Sequence, residues 1–82
     1  MSGDGGTYAP ASEESVAYAS DLIRRIHHAP TKASMRDLRI ELGALAKDCR
    51  SSGTTLDLSD PDSLLGAQMR EANAESKRKG WV

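Results

Sequence analysis

The sequence contains no phenylalanine, one tryptophan, two tyrosines and one cysteine among its 82 residues. Each shortage removes a way of holding a small fold together. Without aromatic bulk, any core is built from Leu, Ile, Val, Met and Ala side chains. A lone cysteine excludes a disulfide within the chain, and no Cys/His pairs stand at the spacing of a structural zinc site. No run approaches the roughly 20 apolar residues of a membrane span, and the N-terminus lacks the basic and apolar segments of a secretory signal. A cytoplasmic, reducing location with no membrane partner is the expectation. A chain of this length makes one domain at most and buries a modest fraction of its surface. Association with a larger protein, or with a second copy as a homo-oligomer, is therefore expected to complete the core.

Signatures of catalysis are also missing. There is no nucleophile elbow, no glycine-rich phosphate loop and no paired-carboxylate arrangement, and a chain this small has little room to enclose a small-molecule substrate. His27 and His28 are adjacent, so on a helix they diverge by about 100°. The residues four before them are Ile23 and Arg24, so neither histidine has a helical co-ligand. Asp60, Asp62 and Glu71 match three places of a calcium loop, but Leu64 and Leu65 stand where an oxygen ligand and a glycine are needed. Cys49 falls on an apolar seam, where a free cysteine behaves as a small hydrophobe. No enzyme, no metal and no cofactor is expected.

What is present is helical periodicity. Met35, Leu38, Leu42, Leu45 and Cys49 recur at steps of three and four, which marks the stretch from Ser34 to Arg50 as an amphipathic helix around which the chain is organised. Val16, Ala19, Ile23 and Ile26, widened by Leu22, repeat that spacing between Ser12 and His28. Ser12 is placed as N-cap, with Glu13 and Glu14 in the first turn, where carboxylates favour the positive end of the helix dipole. Pro30 ends this helix, and Thr31 or Ser34 caps the next. The short connection predicts an antiparallel hairpin of residues 12–28 and 32–51. Gly53 is the expected left-handed residue after the second helix. Residues 54–59 read as an extended connector without a strand partner, laying Leu56 or Leu58 on the hairpin. Asp60 as N-cap with Pro61 at the first position predicts a third, shorter helix over about 61–78. Its apolar face is Leu64, Leu65, Met69 and Ala72, and its second half is expected to be solvated. The fold class is thus all-α: a flexible N-terminal arm (1–11), a helical domain (12–78) and a basic C-terminal tail (79–82).

Charge is segregated along the chain. Residues 1–21 carry four acids and no base, residues 22–50 seven bases and three acids, residues 51–75 five acids and one base, and the remainder only Lys77, Arg78 and Lys79. Acidic segments are expected to lie near the basic hairpin of the same chain or of a symmetry mate; the alternative is a basic patch for an acidic partner. Lys32, Arg36, Arg39, Lys47 and Arg50 form a basic stripe on the central helix with no acid four residues away, and Ile40 lies opposite its apolar seam. Arg24, Arg25, Lys32 and Arg36 gather at the turn with the two histidines.

The candidate partner-binding residues are therefore Arg24, Arg25, Arg36, Arg39, Ile40, Lys47 and Arg50, with Lys77, Arg78, Lys79 and Trp81 of the tail. Three bases beside a tryptophan suit phosphate contact with stacking, a membrane interface, or an aromatic anchor for a protein groove, with a frayed, soluble end as the alternative. The run Lys77-Arg78-Lys79-Gly80-Trp81-Val82 resembles the ending of head-tail joining proteins of tailed phages over those six residues alone. The expected function is a non-enzymatic protein-interaction module, namely an adaptor, assembly subunit or inhibitor of a larger protein. The alternative is a nucleic-acid-binding accessory factor using the basic face and tail.

Overall fold

The computed structural model describes residues 8–81 and is mostly helical. Helix α1 spans Glu13–His27, α2 spans Lys32–Ser51 and α3 spans Leu64–Arg78. Two short strands, β1 (Ala9–Pro10) and β2 (Thr54–Thr55), pair in parallel. No helix among the described residues is long and apolar enough to cross a membrane. The N-terminal arm expected over 1–11 lies outside the described residues as far as residue 7.

Local chemistry sets the helix ends. The Ser12 hydroxyl accepts from the Ser15 N–H and the Thr31 hydroxyl from the Ser34 N–H, so each helix begins on a side-chain cap. Beyond α2, Gly53 adopts a φ of 79°, and the Thr54 hydroxyl donates to the Cys49 carbonyl, satisfying one of the last free acceptors of the helix.

The core is centred on α1, which packs against both α2 and α3, whereas α2 and α3 make no comparable backbone approach. Periodicity singled out α2 as the organising element, yet Ala19, Leu22, Ile23 and Ile26 of α1 are the most deeply buried side chains, with Met35, Leu42 and Cys49 of α2 against them. The reason is geometric: a helix flanked on two sides must bury a wide face, and α1 alone carries Leu22 beside its three-four stripe. Leu56 is buried, and Leu58, Met69 and Trp81 pack at the edge of the cluster.

Three expectations are corrected. The all-α description is approximate, because the 54–59 segment does find a partner: the Ala9 N–H donates to the Gly53 carbonyl at 3.2 Å and the Ala11 N–H to the Thr55 carbonyl at 3.1 Å. That partner lies more than forty residues upstream in a Gly- and Pro-containing arm with no strand pattern.

The third helix begins at Leu64, three residues later than its Asp-Pro signal implied. Asp60 folds its own turn instead, its carboxylate accepting from the Asp62 N–H at 2.9 Å and its carbonyl from the Ser63 N–H at 3.0 Å. Ser63 takes the cap, accepting from the Gly66 N–H at 3.0 Å. Starting there turns Leu64 outward and leaves Leu65, Met69, Ala72 and Ser76 facing α1.

The second half of α3, expected to be solvated, is part of the fold, since Ala72 is fully buried and Ser76 is 1% exposed. Gly80 then adopts a φ of 77°, which turns the chain so that the Trp81 N–H reaches the Ser76 carbonyl at 2.9 Å. Trp81 is half-buried against the core, and Val82 lies outside the described residues.

Candidate functional site

The outward face of α2 packs against no other helix among the described residues. At roughly 100° per residue, Arg36, Ile40, Gly43, Lys47 and Arg50 fall on one arc of the helix, well away from the Leu42–Cys49 seam. All five are exposed, and Ile40, 71% exposed, lies along one edge of the arc, between Arg36 and Lys47 along the helix axis. Gly43 has open space beside it: a Cβ built there meets nothing within 4 Å. Gly43, Ala46, Lys47, Arg50 and Ser51 line a shallow depression of about 390 Å³. The guanidinium of Arg50 stands 5.8 Å from the Tyr8 ring centroid, which ties this end of the face to the segment ahead of β1.

Arg39 belongs to the same basic stripe by spacing but serves a different purpose. Its guanidinium lies against the Met35 sulfur and donates to the Ser76 hydroxyl at 3.2 Å. A long side chain thus spans the gap between α2 and α3 and satisfies a buried hydroxyl. On the far flank of α2, Glu41 accepts a hydrogen bond from the Tyr18 hydroxyl of α1. That carboxylate raises the Tyr18 pKa, first by the hydrogen bond it accepts and then, beside desolvation, by its own charge.

A second exposed apolar surface went unread in the sequence. Leu64, 63% exposed, borders a groove of about 460 Å³ with Ala11, Val16 and Ala17, rimmed by Glu13, Asp21 and Arg24. Leu65 continues to Met69 and Ala72 at steps of four and three, whereas Leu64 continues to Gln68 and Glu71, so the exposed position of Leu64 was legible in the spacing.

The basic residues of the C-terminus divide into engaged and free. Glu75 holds Arg78 through contacts of 2.9 and 2.5 Å and reaches Lys79 at 3.6 Å. This three- and four-residue spacing was legible in the sequence. The Arg78 hydrogen bond, helped by the charges of Arg78 and Lys79, lowers the Glu75 pKa to about 2 against an opposing desolvation effect. A carboxylate whose folded pKa is depressed adds stability that is present above its unfolded value of 4.5 and lost as pH falls toward 2. Acid titration followed by circular dichroism should therefore show stability falling in that window, and Glu75→Gln should flatten part of the slope. An unchanged slope in the variant would mean that the pair contributes nothing to folding.

Lys79 caps the arrangement. Its ammonium lies 4.7 Å from the Trp81 ring centroid and donates to the Ala29 carbonyl at 3.4 Å. The tail residues treated as a free aromatic anchor are thereby held against the turn between α1 and α2, while Lys77 remains exposed. Arg25 pairs with Asp21 at 3.0 Å, one turn earlier in the same helix. Every ion pair among the described residues lies within a single helix. Acidic and basic blocks of different helices do not neutralise each other by direct pairing.

Protein-family models, curated proteins and solved structures contain no match to this chain. Its function is therefore argued from surface chemistry. Of the eleven partner-binding candidates, Ile40, Arg36, Lys47 and Arg50 share one face of α2, and Arg24, Arg25 and Lys77 are exposed. Arg39, Arg78, Lys79 and Trp81 spend their polar or aromatic groups on contacts inside the chain.

Proposed function

We propose that this protein is a non-enzymatic interaction module, an adaptor, assembly subunit or inhibitor that binds a larger protein through the outward face of α2. The observation that carries this is Ile40: a β-branched apolar side chain exposed at the middle of an ordered 20-residue helix, beside bare backbone at Gly43 and rimmed by Arg36 and Lys47. An apolar centre inside a charged rim is the usual anatomy of a protein contact. An antiparallel arrangement of α1 and α2, supported by their short connection and by the Tyr18–Glu41 bond, keeps this face flat and free of loops.

Ile40→Glu should leave the far-ultraviolet spectrum and thermal midpoint nearly unchanged and abolish partner capture from a nuclease-treated native lysate. Retained capture would exclude this face. A second copy is the alternative occupant of the Ile40 face. Sedimentation equilibrium over a wide concentration range should then show a monomer for Ile40→Glu. A wild-type dimer that this substitution dissociates would identify the partner as another copy.

A nucleic-acid-binding accessory role draws instead on the exposed bases. Arg24, Lys32, Arg36, Lys47, Arg50 and Lys77 have no ion-pair partner among the described residues.

A further inference from the structure

We infer that one end of the molecule, where the α1–α2 turn meets the last turn of α3, is a phosphate-backbone binding pole for nucleic acid, built from Arg24, Lys32, Arg36 and Lys77. This deepens the accessory-factor alternative and rests on it.

Fifty residues separate the Lys79 ammonium from the Ala29 carbonyl that accepts its hydrogen bond. That contact, with the Arg39–Ser76 bond, brings the C-terminal basic run to the same end as the basic residues of the hairpin turn. Two basic blocks divided in sequence by an acidic one become a single surface. Arg24, Lys32, Arg36 and Lys77 are exposed there, and none has an ion-pair partner among the described residues.

The carboxylates nearest in the chain are Asp21, Asp37, Glu71 and Glu75. Asp21 is occupied by Arg25 and Glu75 by Arg78 and Lys79. Glu71 shares a small hollow of about 140 Å³ with Arg24, His27 and His28. Asp37 is exposed and in no ion pair among the described residues, so Arg24, Lys32, Arg36 and Lys77 stand against Asp37 and Glu71 and the pole keeps a positive excess although the whole chain carries a net charge of −1. Asp57, Asp60 and Asp62 precede α3 and so stand at its opposite end.

Bases in the last turns of α1 and α3 also complement the helix dipoles. Lys32 and Arg36 stand in the first turns of α2, however, where a cation opposes the dipole, so the dipoles do not account for them. The occupant is argued from what the pole lacks. The large exposed apolar residues are Tyr8, Tyr18, Ile40 and Leu64; none lies in the turn or in the last turn of α3, and Ile40 stands one turn beyond Arg36, at the margin of the pole. A protein contact relies on such anchors, whereas a phosphate backbone requires only spaced cations. With Trp81 half-buried under Lys79, base stacking is not the mode, and binding is tolerant of sequence.

The test is fluorescence anisotropy of the full-length protein with a labelled mixed-sequence duplex between 50 and 200 mM NaCl, with polyglutamate as competitor. Three to four phosphates neutralised gives a log–log salt slope of about −2.7 to −3.6. Lys77→Gln should lower the slope by about one. The combined Lys32→Glu, Arg36→Glu and Lys77→Glu variant should lose more than about tenfold in affinity. Lys47→Glu with Arg50→Glu, at the other end of α2, should change it by less than about twofold.

Should the triple variant lose its helical spectrum, the single Lys77→Gln slope decides. No wild-type binding at 50 mM salt would overturn the nucleic-acid alternative as a whole. Wild-type binding damaged chiefly by the Lys47/Arg50 pair would overturn the pole alone. Displacement by polyglutamate at equal charge would reassign the pole to an acidic protein.

Discussion

Leu22→Ala should abolish the cooperative melting transition at 37 °C. Leu22 is fully buried on α1, the helix that touches both of the others, and its truncation leaves a cavity that no single neighbour can fill. Such substitutions cost about 2 to 5 kcal/mol, and a core in a chain of about 80 residues supplies only about 3 to 5 kcal/mol in net terms. Leu42→Ala on α2 should follow in the same direction with a smaller effect, because α2 has a single neighbouring helix, α1, where α1 has two. Circular dichroism melts of both variants beside Ile40→Ala give the measurement. Ile40→Ala should melt as the wild type does. A Leu22→Ala protein that keeps a sharp transition within a few degrees of the wild type would show that α1 is not the centre of the core.

Gly66→Ala and Gly43→Ala should move stability in opposite directions. A Cβ on Gly66 would stand 1.8 Å from the Asp60 carbonyl oxygen and 2.5 Å from its carbon. These are backbone atoms of the turn that delivers the Ser63 cap, so no flexible side chain can yield. Either the turn lifts off α3, losing the Ser63–Gly66 bond and the Ser63 hydroxyl's contacts to the Asp57 and Asp60 carbonyls, or the helix start shifts. Overpacking of this kind costs about 1 to 3 kcal/mol or more, a large part of the total stability. Gly43 lies mid-helix in open space, so alanine there gains about 0.5 to 1 kcal/mol in helix propensity. Urea denaturation of the two variants side by side should place their midpoints on either side of the wild type. A neutral Gly66→Ala would mean that the 60–63 turn does not close over α3.

The two glycines show where sequence reasoning stops. Both occur within helices and nothing in their neighbours distinguishes them; the difference is a turn folded back from outside the helix, which has no period and no spacing. The same holds for Lys79 and Trp81. Their composition suggested a free, adhesive tail, and Gly80 was legible only as a helix breaker. That Trp81 beyond it would turn onto the Ser76 carbonyl, and Lys79 before it onto the Ala29 carbonyl, depended on where the third helix came to rest.

The sequence by itself determined the three helices and the cap of the first, and narrowed that of the second to Thr31 or Ser34, because capping hydroxyls, Pro30, Gly53 and three-four apolar spacing act within a few residues of where they stand. It also determined that Met35, Leu42 and Cys49 face inward and that Ile40 lies opposite them, since helical geometry fixes relative direction once the seam is known; that no third element covers Ile40 was decided by packing. Tertiary structure alone decided which helix is central, that a short strand ahead of α1 pairs with residues after α2, and which bases remain available. Arg36 and Arg39 look alike in a list of charges, yet only Arg39 stands where a neighbouring helix offers a buried hydroxyl. Those outcomes depend on distances between segments as much as fifty residues apart, which packing sets and local periodicity does not encode.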